Sequence, residues 1–497
     1  ARAAGERGAL GVALEAETLR TDGHPVVSAA QRGPVDGDAG ADHLTVNGRI
    51  EARPAEGLLL RLQAGVFREA QEGGTRFTTA AVRSFRLAAT ARASGRAGAL
   101  ELTLFGQRGT FEQERARIDP ARATEALAAR QDVPATDLGA GLSWTGPRLP
   151  LLGAHQPSAG VDGRRVEGTT REDLFPATSL PGDLLERDAG GEQRLLGAFV
   201  QDVWDLSPAV AVHAAARVDV WQNRDASRTE RRRDGTEARV AFPDRTDTTA
   251  SPKLGLRVRP APWLALRAAA YRAFRAPTLN ELYRPFQVGP VRTDANADLG
   301  PELLRGAEAG LDLEHRAGAA LRATGFWNVL DGPITNVTVG PNLRERRNLG
   351  EARIRGIEVE AGVRIARGLS ATAAWTFVEP VVTAAPGSEA LVGKDLLQDP
   401  RHRVSLAATW ERPRVLGLTV HARHVGPQWE DDLNTLRMGG YTVVDLSARR
   451  ALARGLDLVV AVENLLDREY LVGRAGGLDT VGQPRFARAG LRYRTGP

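Results

Sequence analysis

Cysteine is absent, lysine occurs only at Lys253 and Lys394, methionine occurs once, and aromatic residues make up only 5% of the 497 residues. The lack of cysteine excludes a thiol nucleophile, a zinc ribbon and a disulfide framework, and it is compatible with an oxidising cell envelope. No run of 18 apolar residues occurs, although 42% of the residues are hydrophobic. A membrane-crossing helix is therefore excluded, while a crossing barrel, whose strands alternate, is not. The mean hydropathy of −0.28 fits such alternation. With two lysines, 64 of the 66 basic residues are arginine, and the net charge is +5. Such a surface suits phosphate-bearing lipid headgroups or anionic ligands. The 61 acidic residues are interspersed with the arginines along the whole chain, so the compact basic patch of a nucleic-acid-binding protein is missing and nucleic acid is not an expected partner. The chain opens Ala1-Arg2-Ala3 without an apolar signal segment, so an export signal is expected upstream.

What is present is period-2 patterning. Val210, Val212, Ala214, Ala216, Val218 and Val220 share one parity, and His213, Arg217 and Asp219 the other. A helix would scatter those charges around its axis, whereas a strand sends them all to one face. The pattern returns at Leu254, Leu256 and Val258 against Arg257 and Arg259, and at Ile357, Val359, Ala361 and Val363 against Glu358, Glu360 and Arg364. Near the end Leu456, Leu458, Val460 and Val462 oppose Asp457 and Glu463.

Connections decide what the strands build. Short links at 53–57, 93–98, 206–209, 260–263, 315–319, 366–368 and 450–455 alternate with long polar segments at 20–42, 110–135, 169–192, 225–247, 274–302, 379–400, 426–440 and 464–483. A stacked sandwich has no reason to alternate in this way, but a chain threading up and down a membrane does. The expected fold is all-β, a transmembrane antiparallel β-barrel of about 20 strands filling residues 1–497, with short periplasmic turns and long extracellular loops. Trp144, Trp204, Trp263 and Trp410 fall at the short-turn ends of their strands, as an interfacial girdle requires. Aromatics are too few for two full girdles, so arginines near the loop side of apolar faces, such as Arg272 and Arg305, are expected to snorkel to the headgroups. At mid-membrane each would cost about 2 to 4 kcal/mol.

Catalytic constellations are missing. The eight histidines are scattered, and His421 and His424, three apart on a strand, point to opposite faces and share no metal. No Gly-x-Ser-x-Gly elbow and no P-loop occurs. Glu430-Asp431-Asp432 lacks the spaced ligand pattern of a calcium loop and is expected to be a solvated loop. No cofactor, metal or enzymatic activity is expected.

Several segments carry a more specific signal. Phe274-Arg275-Ala276-Pro277-Thr278-Leu279-Asn280-Glu281-Leu282-Tyr283 follows a strand and opens a long loop. Leu299-Gly300-Pro301-Glu302 with Glu308 and Gly310 comes next, then Asn348-Leu349-Gly350 leading to Gly356-Ile357-Glu358, and Asn464-Leu465-Leu466-Asp467 with Tyr470. Ala198-Phe199-Val200-Gln201-Asp202 and Ser251-Pro252-Lys253-Leu254-Gly255 add to these. In order and spacing they resemble the barrel of TonB-dependent outer-membrane receptors, over most of the chain. The resemblance implies a 22-stranded barrel, preceded in the family by a TonB box and a plug domain that nothing before Gly8 supplies. Residues Gly8 to Gly23 look like the family's third strand, so its first hairpin is expected upstream too. In the closing strand, Ala487, Ala489, Leu491 and Tyr493 form the expected lipid side, and Arg-Thr-Gly-Pro follows Tyr493 where family barrels usually end on an aromatic.

The function implied by the resemblance is energised uptake of a scarce ligand, such as a ferric siderophore, cobalamin or another metal chelate. The implied partners are a TonB-type energy-coupling protein, outer-membrane lipid and lipopolysaccharide, for a monomer in the outer membrane. Arg217, Arg257, Arg259, Arg267, Glu358, Arg364 and Arg423 are expected to face the lumen or contact a plug. Asn280, Glu302 and Glu358 are expected to fix loops or pair with lumen arginines rather than touch ligand. A passive porin-like channel and an outer-membrane enzyme on a barrel scaffold are the alternatives.

Overall fold

A computed structural model describes residues 1–175, 184–288, 291–412 and 415–495. One antiparallel sheet of 22 strands runs from Arg2–Arg7 to Phe486–Tyr493, each strand pairing with its neighbours in chain order. Twenty of these are the strands expected from the alternation. The other two are the six-residue Arg2–Arg7 strand and the five-residue Glu237–Ala241 segment, which pairs with the top of Val210–Arg232 above the point where Arg245–Ala261 takes over.

The two faces sort as their chemistry demands. Val218, Leu254, Leu256, Leu266, Ile357 and Leu406 stand exposed on the outer face, while Asp219, Trp221 and Asn223, of opposite parity to Val218, are buried inside. A soluble sheet would hide the first set; a barrel in lipid displays it. Trp144, Trp263 and Trp410 are exposed at the short-turn ends, and Trp204 stacks on His155 there with ring centroids 5.1 Å apart. Nearer the loops, Trp327 and Trp375 stand exposed on the outer face, with Arg353 and Arg355 lying 5.5 and 5.7 Å over the Trp327 ring. Arg305 lies on the apolar face as expected, and pairs with Asp331 at 2.9 Å.

Several lumen-side rings lie flat against the wall because a glycine sits opposite them. Phe326 is paired with Gly356, where an added Cβ would come within 2.6 Å of the ring and 2.1 Å of the Phe377 carbonyl. Tyr271 lies likewise against Gly306. This is the structural use of Gly356, a residue singled out from the sequence.

Much of what reads as long loop is paired strand. Gly98–Ile118, Glu125–Thr145 and Ala154–Leu174 are 21 residues each, and Leu185–Ser207 and Val210–Arg232 are 23 each. A crossing strand needs only about 9–11 residues, so these walls rise well above the membrane. Up there water bathes both faces, alternation has no cause, and polar strand looks like loop. Part of the expected 169–192 loop lies outside the described residues. The strands from His402–Arg412 onward are 8 to 13 residues long where they belong to the wall, so the rim is high on one side and low on the other.

Arg2–Arg7 and Phe486–Tyr493 each pair on one side only. Above this seam the first and last long loops are stitched together. Val481 N–H donates to Val26 O at 2.8 Å, Ser28 N–H to Asp479 O at 3.1 Å, and the Gln31 amide bonds Gly477 O and Asp479 N at 3.0 and 2.7 Å.

Ala216 lies on the outer face near mid-membrane and its neighbour Ala215 on the inner one. Ala216→Arg is expected to destabilise the folded barrel by about 2–4 kcal/mol and Ala215→Arg by far less. Urea unfolding in lipid vesicles reads the difference; equal losses would contradict the assignment of faces.

Candidate functional site

The loop-side mouth is where the polar side chains gather, and the segment Phe274–Tyr283 organises it. Thr278 caps the helical turn Leu279–Tyr283, its side chain accepting from the Glu281 N–H while the Glu281 carboxylate accepts from the Thr278 N–H. This reciprocal bonding stabilises a short turn that propensity alone would not. Arg275, at the end of its strand, bonds Glu281 at 3.0 and 3.1 Å and Glu302 at 2.6 Å, and Glu302 accepts the Ile334 N–H at 2.6 Å. Buried Pro277 presents its carbonyl to Gln193 at 2.9 Å. Leu282 and Tyr283 are buried with Trp221, Ala226 and Leu299, and the Tyr283 ring lies 4.8 Å from Phe242. The loop therefore folds inward onto the inner wall instead of standing away from it.

Beside this turn three guanidinium groups converge on one carboxylate. The Glu172 side chain is only 1% exposed and receives Arg284 at 2.6 Å, Arg115 at 3.1 Å and Arg187 at 3.5 Å. Arg187 also bonds Glu230 at 2.9 Å and the Pro285 carbonyl at 3.3 Å. Burial, together with repulsion from Arg284 and Arg187, holds the Arg115 guanidinium below its ordinary pKa despite Glu172. Burial also lowers Arg346, which bonds the Asn280 and Arg284 carbonyls and lies 4.9 Å over the Phe286 ring. Glu281 feels burial pushing its pKa up, but Arg275 and the Thr278 cap outweigh it and the net shift is downward.

On the outer face of the early strands, above the apolar band, the charge reverses. A cavity of about 1340 Å³ is lined by Asp22, Asp38, Asp42, Glu72, Glu112 and Asp132 among others, with Arg20, Arg76 and Arg130 as its cations. Its loops are locked by buried Asp36, which takes Arg122 at 2.6 Å and the Gly33 N–H at 2.8 Å.

The residues expected in the lumen fall into two groups. Arg217 bonds Asp162 at 2.6 and 2.9 Å and Asp219 at 2.8 Å; Arg267 bonds Asp312 at 3.2 Å and Thr324 at 2.6 Å. Both are already engaged by carboxylates of the wall. Arg257, Arg259, Glu358, Arg364 and Arg423 have no ion pair or side-chain hydrogen bond among the described residues. Of the motif residues, Glu302 joins Arg275 to the Ile334 N–H, and Asn280 offers its backbone carbonyl to Arg346. Asn464, buried and at φ 46°, bonds Arg468 and Gln483 backbone; Asp467, at φ 51°, accepts the Arg485 N–H at 2.9 Å; Tyr470 stacks on Tyr441 at 4.2 Å and covers Gly482. Phe274 closes its strand beside Leu303, and the Pro301 carbonyl faces Gly332.

The acidic stretch 430–432 departs from expectation. Asp431 and Asp432 are buried, not solvated: Asp431 accepts the N–H groups of Thr435 and Leu436, and Asp432 those of Thr338 and its hydroxyl. Among the described residues no group of three or more histidine or acidic side chains is placed to hold a metal. Glu172, Arg115, Arg187 and Arg284 were not singled out from sequence, because they lie in segments where no alternation marks them.

Glu172→Gln should leave three buried cations facing each other and loosen the vestibule loops by about 3–5 kcal/mol, read as faster protease cleavage at residues 284–288 with the barrel intact. Because the Glu281 pKa is depressed, its contribution is fully present above about pH 4.3 and is lost as pH falls through the depressed value. Hydrogen exchange of the 278–284 amides should rise over that acid range, and in Glu281→Gln the rise should vanish.

The chain matches the family described as TonB dependent receptor-like, β-barrel, over residues 22–465. It is 28% identical over 249 residues to the vitamin B12 transporter BtuB of Vibrio vulnificus (strain YJ016), covering 48% of this chain and 36% of that protein. To the ferrichrome outer membrane transporter/phage receptor of Escherichia coli (strain K12) it is 33% identical over 130 residues, 24% of this chain and 17% of that one. The matched stretches thus span about a third or less of these curated relatives. Among solved structures, the copper transporter OprC superposes with a TM-score of 0.81 at 18% identity, covering 99% of this chain and 78% of that one. The ferric yersiniabactin uptake receptor FyuA of Yersinia pestis gives 0.78 at 14%, covering 99% and 77%. At such identities the likeness is one of fold. Taken with an apolar outer face and a charged lumen, the family match over most of its length makes this chain an outer-membrane β-barrel that belongs to the TonB dependent receptor-like, β-barrel family.

Proposed function

We propose that this barrel is the wall and mouth of a receptor that captures a scarce metal chelate outside the cell and passes it inward with energy from a TonB-type coupling protein. The observation that carries this reading is the inward-folded, internally bonded vestibule around Arg275, Glu302 and Glu172. A site preorganised in this way loses little entropy on binding, which suits a ligand present at low concentration. The relatives described as a vitamin B12 transporter, a ferrichrome transporter and a ferric yersiniabactin receptor supply the ligand class: ferric siderophores, cobalamin or similar chelates. Loops folded inward and bonded to the inner wall suit a receptor better than a passive porin-like channel.

The test is uptake of labelled ferric siderophores and cobalamin by cells expressing the full-length protein, before and after the proton gradient is collapsed. Accumulation should stop on de-energisation while surface binding persists. Uptake that continues unchanged would establish the passive channel instead. With a bound ligand in hand, Arg284→Gln is expected to weaken surface binding by about tenfold or more, the worth of a lost charge-assisted hydrogen bond.

A further inference from the structure

Three side chains on the lumen face of neighbouring strands stand in an order that ligand capture does not use. Ser405 lies on His402–Arg412, His421 on Leu416–Val425 and Asp445 on Tyr441–Ala453. Ser405 has the parity opposite to exposed Leu406, and His421 the parity opposite to exposed Val420, so both face inward. His421 pairs directly with Asp445 and is diagonal to Ser405, whose direct partner is Arg423. No motif spacing announces the group, because register across three strands assembles it.

The contacts run through the two ring nitrogens in order. The Ser405 hydroxyl lies 2.8 Å from His421 Nε2, and His421 Nδ1 lies 3.6 Å from Asp445 Oδ2. A carboxylate beside Nδ1 favours the tautomer with its proton on Nδ1, which leaves Nε2 to accept from the hydroxyl. Asp445 is itself held, since its Oδ1 accepts the N–H of buried Asn464 at 2.8 Å. A nucleophile within reach of a base, and a base oriented by a fixed third group, is the arrangement of an activated serine. The 3.6 Å contact is longer than a hydrogen bond, and such contacts shorten when the imidazole takes up charge during reaction. Arg423 supplies the remaining part. It has no ion pair or side-chain hydrogen bond among the described residues. Directly opposed side chains start about 5 Å apart, so its guanidinium is within reach of an oxyanion formed on Ser405. The group is open to solutes: the His421 and Asp445 side chains are 36% and 30% exposed. It sits just below the mouth, because Val404, the neighbour of Ser405, pairs with Trp375 of the loop-side girdle.

We infer that Ser405, His421 and Asp445, with Arg423, hydrolyse carboxylic esters that enter the lumen. Ser405 Oγ bonds the ester carbonyl carbon while its proton passes to His421 Nε2, and Arg423 stabilises the oxyanion. The carbon–oxygen bond to the alcohol then breaks, and the alcohol leaves with the proton from His421. Water attacks the acyl-serine in the same way, giving a proton to His421, and the carboxylic acid leaves as Ser405 regains its hydrogen. Asp445 touches no substrate and acts as a positioning residue. The inference needs only that an ester reach the lumen, and it stands or falls apart from which chelate the vestibule captures.

The experiment incubates the full-length protein, purified in detergent, with para-nitrophenyl acetate and, separately, with a fluorophosphonate that labels activated serines. Nitrophenolate should be released over repeated turnovers, and peptide mapping should place the phosphonyl group on Ser405. Ser405→Ala should abolish both. His421→Gln should lower the rate by about 100-fold or more, and Arg423→Gln by about the same factor. Asp445→Asn, which keeps an oxygen for the Asn464 N–H, should lower kcat with KM unchanged. His424→Gln, on the lipid face beside Val404, should hydrolyse at the wild-type rate. Heat-modifiable gel migration verifies that each variant is folded. Undiminished hydrolysis by folded Ser405→Ala, His421→Gln or Asp445→Asn would overturn the inference. So would a wild-type protein that takes no label on Ser405, a result that needs no variant to fold.

Discussion

In hydrocarbon an unpaired peptide group has no water to turn to, and each one left open costs several kilocalories per mole. The rest of this structure depends on that constraint. It makes the strands join edge to edge in chain order, and it makes every residue between two turns choose between oil and water. The chain therefore needs no buried core in the usual sense. Its buried hydrophobic clusters lie at the mouth, around Trp221 and Tyr283 and around Val337 and Val382, where loops must be held against the wall.

Inside the wall the same chain solves the opposite problem. Charged groups facing the lumen are hydrated, but crowded strands bring them into contact, and the solution is local pairing such as Arg217 between Asp162 and Asp219. Rings are accommodated by glycines, as Phe326 is by Gly356. Charge satisfied within the wall keeps the lumen from being a uniform field. What remains unsatisfied, at Arg257, Arg259, Arg364 and Arg423, marks where something else in the lumen would be felt.

Legibility followed the solvent. Between Val210 and Val220 lipid on one side and water on the other imprint a period of two, and the strand could be read directly from the residues. Above that level Thr110 to Ile118 and Glu125 to Ala135 are equally well paired, yet water on both sides leaves no imprint and they read as loop. Arg2–Arg7 was missed for a different reason: six residues are too few for a period to declare itself. Of the motif residues, Glu302 ties two loops together. Glu172 was not legible at all, because it gathers Arg187 from the strand opposite, Arg115 from two strands away and Arg284 from a later loop, and only strand pairing brings them near.

The unequal height of the rim has a consequence for traffic. A solute drifting in from outside meets a parapet on the flank of Gly98–Ile118 to Val210–Arg232 and a low sill on the flank of His402–Arg412 to Leu456–Glu463. On the second flank folded loops take the place of paired strand, as at Leu471–Ala475 and Leu478–Val481, and the parapet carries the basic cluster at its inner surface.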